Sequence, residues 1–265
     1  MRVKIKSKLK AITHLARGYI RYLDYTAPPI VIGGCERSGT TLLQRILSAH
    51  SKILAIPRES WALCYSPVAG FKENQPIRRA RLIRALGEFQ IPHGKENANR
   101  WSEKSPANIF HFRDIAEAFD FNIKRIQIVR DGRDVILSKY PGDPSRPHVP
   151  VKRWIDAVQA GINFLDDPTV LTIRYEDLIT ETDKTLKRIC GYIEEEYENL
   201  SSTWVNRATL RDDHSGSIKP IPQDQIEIAK FIGKWKVKNH PWADRVEALM
   251  KDADALYLLE KYNYI

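Results

Sequence analysis

Apolar and polar positions along this chain switch between two periods, and the switches mark out its elements. Over the first 25 residues Ile5, Leu9, Ile12, Leu15, Ala16, Tyr19 and Leu23 recur at helical spacing, which predicts a helix. It stops at Ala27-Pro28-Pro29, because a residue preceding proline is pushed out of the α region. Ile30-Val31-Ile32 is a short unbroken apolar run closed by Gly33-Gly34, the pattern of a strand buried on both faces. A helix is expected from Thr40 to about His50, with Leu42, Leu43, Ile46 and Leu47 on one side. Ile53 to Ile56, Trp101 to Glu103, Arg125 to Val129 and Val170 to Ile173 read as further strands. Helices are expected from Pro106 to about Phe119, from Asp131 through Leu137, from Val149 to Leu165 and from Thr182 to Ile193. Asn199 to Pro222 is polar and weakly periodic and reads as a loop or lid, and a last helix is expected from about Trp242 to Lys261. Strands alternating with helices argue for an α/β fold with a parallel sheet and helices on both faces.

Composition sharpens this picture at three points. With 43% hydrophobic and 28% charged residues in 265, the chain has ordinary globular composition, and the reading is a basic helix over 1–27 followed by a single domain over 28–265. The net charge of +9 is unevenly placed, since Arg2, Lys4, Lys6, Lys8, Lys10, Arg17 and Arg21 face only Asp24 within the first 25 residues. That leaves +3 for the remainder, which argues against nucleic-acid binding by a uniformly basic coat and allows peripheral contact of residues 1–25 with an anionic membrane. Cys35, Cys64 and Cys190 are too few and too scattered for a disulfide framework. No apolar run is long enough to span a membrane and the N-terminus lacks an apolar signal region, so a cytoplasmic protein is expected, with peripheral membrane contact as its variant.

The candidate chemistry begins where the first strand runs into Gly34-Cys35-Glu36-Arg37-Ser38-Gly39-Thr40-Thr41 and then a helix. This fits a phosphate-binding loop at every defining position except one, where Thr40 replaces the lysine. Converging backbone N–H groups and a helix N-terminus still favour a phosphate or sulfate. Arg37 offers a planar cation in place of the lysine. The strand before Asp131 ends on Arg130 where a Walker B segment would be apolar, so no dedicated Mg²⁺ carboxylate is evident and no metal is expected.

Arg37-Ser38-Gly39-Thr40-Thr41-Leu42-Leu43 resembles the 5′-phosphosulfate loop of sulfotransferases that use 3′-phosphoadenosine 5′-phosphosulfate (PAPS), in the branch of the tyrosylprotein and bacterial carbohydrate enzymes. Ile128 to Ser138 is similar to that family's 3′-phosphate motif, which implies that Arg130 and Ser138 bind the 3′-phosphate. Glu103-Lys104-Ser105-Pro106 resembles the element that places a lysine, here Lys104, near the sulfuryl group, and Arg174 to Leu178 resembles the element whose tyrosine, here Tyr175, borders the nucleotide. Ser217-Ile218-Lys219-Pro220 and Ile232-Gly233-Lys234-Trp235 look like the segment that closes over the nucleotide, with Lys219 assigned to it. The resemblance implies a P-loop-type three-layer fold, PAPS as co-substrate without a metal, and a hydroxyl acceptor that is a carbohydrate, lipid, peptide tyrosine or small metabolite.

Sulfuryl transfer needs a base for the acceptor hydroxyl and cations around the moving group. The family's base, often a Glu after a proline, maps onto Glu59 in Pro57-Arg58-Glu59-Ser60, one residue off the usual spacing. An exposed carboxylate pairing with Arg58 or capping a helix is the bland reading of Glu59. His50, His93, His111, His148 and His214 are competitors. Two other classes stay open: a P-loop kinase or NTPase, and a non-catalytic membrane-surface adaptor driven by the basic helix.

Overall fold

The computed structural model describes residues 2–64, 77–209 and 231–265, with side chains of the first helix described from Ala11 onward. Five parallel strands form one sheet: β1 (Ile30–Gly34), β2 (Ile53–Ala55), β3 (Arg100–Lys104), β4 (Lys124–Val129) and β7 (Val170–Arg174), in spatial order β2-β3-β1-β4-β7. A small antiparallel hairpin, β5 (Lys139–Tyr140) and β6 (Asp143–Pro147), stands apart. All five sheet strands lie where the sequence predicts them; β1 and β2 are unbroken apolar runs, as a strand covered on both faces favours, whereas β3 (Arg-Trp-Ser-Glu-Lys) is mostly polar although buried.

Alternate strand residues feed two cores. Ile30 and Ile32 of β1 pack with Leu43, Ile46 and Leu47 of α2 (Thr40–Leu47) and with Leu186, Ile189 and Ile193 of α8 (Thr182–Ile193). Val31 faces the other way, into a cluster with Phe112 and Ile115 of α4 (Phe112–Ala118), Trp154 and Val158 of α6 (Val151–Ile162), and Leu258 and Leu259 of α11 (Ala253–Lys261). Helices therefore cover both faces of the sheet, as the alternation of elements implies.

Two elements differ from expectation. The stretch read as a loop from Asn199 contains α9 (Leu200–Arg207), a short helix held by two apolar residues one turn apart, Leu200 and Trp204, against α2 and α8. The last helix is two, α10 (Ala243–Met250) and α11, because the Asp252 carboxylate caps the second by accepting from the Ala255 amide at 3.0 Å. The first helix, α1 (Arg2–Asp24), is present as expected and leaves its apolar stripe exposed over the described side chains. It crosses α3 (Arg79–Glu88) through small residues, and a Cβ on Gly18 would lie 1.7 Å from the Ile83 carbonyl oxygen. Arg21 then donates from one guanidinium nitrogen to the Leu86 and Phe89 carbonyls at 2.5 and 2.6 Å, closing the C-terminal end of α3.

Candidate active site

Strand register brings the motifs to one edge. Ile32 of β1 is level with Lys104 of β3, Gly34 with Ile128 of β4, and Val129 with Arg174 of β7, so the segments after these residues leave the sheet side by side. The connection from β1 runs toward β2 and the one from β4 toward β7, which opens a crevice beyond the carboxyl ends of β1 and β4. The loop Cys35–Gly39 lies in the middle, with Glu59 and Lys104 on its β2–β3 side and Arg130 and Tyr175 on its β4–β7 side.

Local conformation shapes the loop. Arg37 takes a left-handed backbone (φ 68°), and the Ser38 amide donates back to the Cys35 carbonyl at 3.2 Å. Gly39 is left-handed at φ 97°, and a Cβ there would meet the Tyr175 ring at 2.4 Å, so this position needs glycine twice over. Glu36 is fixed by a bidentate pair with Arg153 at 2.5 and 3.0 Å. Cys35 is buried beneath, and burial followed by the Glu36 charge pushes its thiol well above the ordinary range, which makes it a packing residue.

On the nucleotide side the Arg130 guanidinium lies 4.3 Å over the Tyr175 ring, and Tyr175 in turn touches Gly39, so loop, tyrosine and arginine form one stack. Arg130 donates to the Arg37 carbonyl at 3.0 Å and to the Phe231 carbonyl at 2.5 Å. Asp134, held above the usual carboxylate range by burial, accepts from the Gly233 amide at 2.7 Å and stands 3.9 Å from Arg130. The segment Ile232–Trp235 is therefore clamped beside Arg130, and it brings a third cation, Lys234. Burial first, then the Arg130 charge with a smaller contribution from Arg37, pushes the Lys234 ammonium below its ordinary range. Two polar atoms here, Ser38 Oγ and Arg130 Nε, are buried with no hydrogen-bond partner among the described residues. Buried donors beside three crowded cations fit an anionic ligand.

Thr40 is buried at the start of α2, and Thr41 follows in its first turn. Ser138 lies past the single turn of α5 (Gly132–Val135), buried, with its hydroxyl donating to the Val135 carbonyl at 2.5 Å. Arg133 is a local partner, bidentate to Asp131 and stacked 3.9 Å from the Trp235 ring. Lys219 lies outside the described residues, as does His214.

On the other side, Lys104 Nζ donates to Glu59 Oε1 at 2.6 Å. Arg58 pairs instead with Glu88 of α3, so Glu59 is not the local surface partner of its neighbour. A residue without a role in the motif reading holds this pair in place. Glu103 is fully buried and has no cationic partner among the described residues; its Oε1 accepts from the Ser60 amide (3.1 Å), the Ser60 hydroxyl (2.8 Å) and the Ser105 hydroxyl (2.7 Å), and its Oε2 accepts from Asn108 Nδ2 (2.7 Å). Ser60 follows Glu59 and Ser105 follows Lys104, so one carboxylate ties both backbones together. An acidic residue inside an otherwise buried strand was the available signal.

The histidines separate by position. His50 is buried past the C-terminal end of α2, away from the loop, its Nε2 2.9 Å from the Glu196 carbonyl. His111 approaches Asp114, and His93 is exposed. Among the described competitors His148 alone lies near the loop: burial, then the Arg37 charge, lowers its pKa. Among the described residues no group of three or more His, Cys, Asp or Glu side chains could hold a metal ion.

Comparisons with known proteins identify the family and the fold. The Sulfotransferase family profile matches residues 28–199, which contain the loop, Glu59, Lys104, Arg130, Ser138 and Tyr175. Protein-tyrosine sulfotransferase A of Caenorhabditis elegans is 23% identical over 244 residues, covering 78% of this chain and 62% of the relative, so the chain spans less than two thirds of that protein's length. Among solved structures, a sulfotransferase domain from the curacin biosynthetic pathway superposes with a TM-score of 0.59 at 19% identity, covering 90% of this chain and 98% of that one. A mouse sulfotransferase complexed with 3′-phosphoadenosine 5′-phosphate (PAP) gives 0.52 at 16% identity, covering 94% and 93%. The fold is thus the P-loop-type sheet of these enzymes, and with the family profile covering most of its length the chain belongs to the sulfotransferase family.

Proposed function

We propose that this protein transfers a sulfuryl group from PAPS to a hydroxyl acceptor and releases PAP. The observation that carries the reading is the gathering of Arg37, Arg130 and Lys234 around the glycine loop, with Ser38 Oγ and Arg130 Nε buried and without a partner among the described residues. Support also comes from the mouse relative, a sulfotransferase in complex with PAP, and from the nematode relative, a protein-tyrosine sulfotransferase.

When bound, PAPS supplies the activated sulfuryl group. The backbone amides of Ser38 to Thr41 and the Arg37 side chain would hold its 5′ end, while Arg130 and Ser138 would hold the 3′-phosphate against Tyr175. Lys219 is assigned to the closing segment. On the acceptor side Glu59 would take the hydroxyl proton through Oε2, which has no partner among the described residues, while Lys104 orients the carboxylate through Oε1. Lys104 and Arg37 flank the reacting centre with positive charge that is already in position, so little reorganisation is needed as negative charge moves to the leaving oxygen.

Thermal unfolding of the purified chain tests the nucleotide assignment. PAP should raise Tm well above the shift given by ADP or ATP at equal concentration, since only PAP carries the 3′-phosphate that Arg130 would read. Equal shifts from all three, or Mg²⁺-dependent ATP turnover, would move the protein to the kinase and NTPase class.

A further inference from the structure

The helix that the apolar pattern predicts is present, yet its apolar stripe points away from the protein. Gly18 and Arg21 are buried against α3, while Ile12 (62%), Tyr19 (54%), Ile20 (60%) and Leu23 (61%) are largely exposed and Leu15 is partly so. On a helical wheel these five residues span an arc of about 140°. The sequence continues the same spacing through Leu9 and Ile5. Exposed large apolar residues elsewhere are scattered singly among the described residues, whereas this is one contiguous stripe on one helix. By sequence, Lys4 borders it on one side of the wheel and Lys6, Lys10 and Arg17 on the other, while Lys8 falls within the arc one turn before the described side chains of the helix.

We infer that α1 is an interfacial anchor that lays this stripe into an anionic lipid surface while its opposite, glycine-containing face stays docked on α3. Charge decides between the occupants. Two copies of α1 packed stripe to stripe would bring together two segments of net charge +6, whereas an anionic surface complements that charge. No helix among the described residues is long and apolar enough to cross a membrane, so the geometry is that of a helix lying in the interface plane. The supporting helix α3 also carries Glu88, the partner of Arg58 next to Glu59, so the anchored surface is one helix away from the acceptor side of the site.

Co-sedimentation of the full chain with vesicles tests this directly. Vesicles of phosphatidylcholine containing about one third phosphatidylserine should bind the protein, pure phosphatidylcholine should bind it much less, and binding should fall as salt is raised. The triple variant Ile12→Gln, Ile20→Gln and Leu23→Gln keeps good helix formers on the exposed face and should lose roughly tenfold or more in vesicle affinity. Its PAP-induced Tm shift should match that of the parent, so loss of anchoring and loss of the nucleotide site are read separately. Absence of binding to the anionic vesicles, or equal binding by the triple variant, overturns the inference. So does a concentration-dependent dimer that the triple variant abolishes, because it would assign the stripe to a second copy.

Discussion

Arg130→Ala removes the guanidinium that joins the two halves of the nucleotide side. In the structure that group spans from the Arg37 carbonyl to the Phe231 carbonyl, stacks on Tyr175 and neighbours Asp134. It is almost fully buried, so solvent screens it little. A hydrogen bond to a charged group contributes about 1.5 to 3 kcal/mol. Its loss should weaken PAP binding roughly ten- to 150-fold. The substitution also loosens the loop and the Phe231 segment, which would weaken any nucleotide and so confound a single titration. A cycle separates the two effects: PAP and ADP are each titrated by calorimetry into parent and variant, pairing deletion of the arginine with deletion of the 3′-phosphate. If Arg130 reads the 3′-phosphate, the variant loses the preference for PAP and the coupling is about 1.5 kcal/mol or more. Equal losses for PAP and ADP, with coupling below about 0.5 kcal/mol, would make Arg130 a structural clamp and refute the assignment.

Further outcomes follow from the other side of the site and from the core. Glu59→Gln should lower kcat by about 10² to 10⁴ on an alcohol acceptor, and a phenol already ionised at the assay pH should rescue it much more than it rescues Lys104→Ala; equal rescue, or an unchanged kcat, would send the search for the base to His148. Glu103→Ala leaves Ser60, Ser105 and Asn108 with unpaired buried donors and should cost about 3 kcal/mol or more in denaturant unfolding, against well under 1 kcal/mol if that network were incidental. Transfer should persist in excess EDTA, because Arg37, Lys104 and Lys234 supply the cations; complete and reversible loss would contradict this. Burial holds the Lys95 ammonium at a pKa of about 8, below its unfolded value, so the unfolded chain binds more protons between that pH and the unfolded pKa. The stability cost of Lys95 should therefore be present below about pH 8 and relieved as pH rises, so Lys95→Met should remove a rise of order 2 to 3 kcal/mol in parent stability between about pH 8 and 10.5.

What was legible in the sequence was local or strand-borne. Strands β1, β2 and β7 announce themselves by apolar residues and β3 and β4 less plainly, and the loop, Lys104, Arg130 and Tyr175 all sit at or just past strand ends, where a parallel sheet collects them. Contacts between distant segments were not legible. Asp134 reaches the Gly233 amide 99 residues on, and Glu103 reaches Ser60 across 43, with no spacing rule to reveal either. The apolar period of α1 gave the helix but not the face it docks by, because docking follows the close approach that Gly18 permits rather than the larger apolar stripe. The helix α9 was missed because Leu200 and Trp204 alone are too few for a visible period, and the break at Asp252 is a single cap inside an otherwise helical run.

If the glycine loop and Arg130 are two ends of one nucleotide site, a crystal structure of the chain with PAP will show both ends filled by one molecule. The 5′-phosphate is expected on the Ser38–Thr41 amides and the 3′-phosphate within hydrogen-bond reach of Arg130, with the Ser138 hydroxyl turned from the Val135 carbonyl toward it. A 3′-phosphate pointing into solvent, or PAP bound away from the loop, would contradict the assignment.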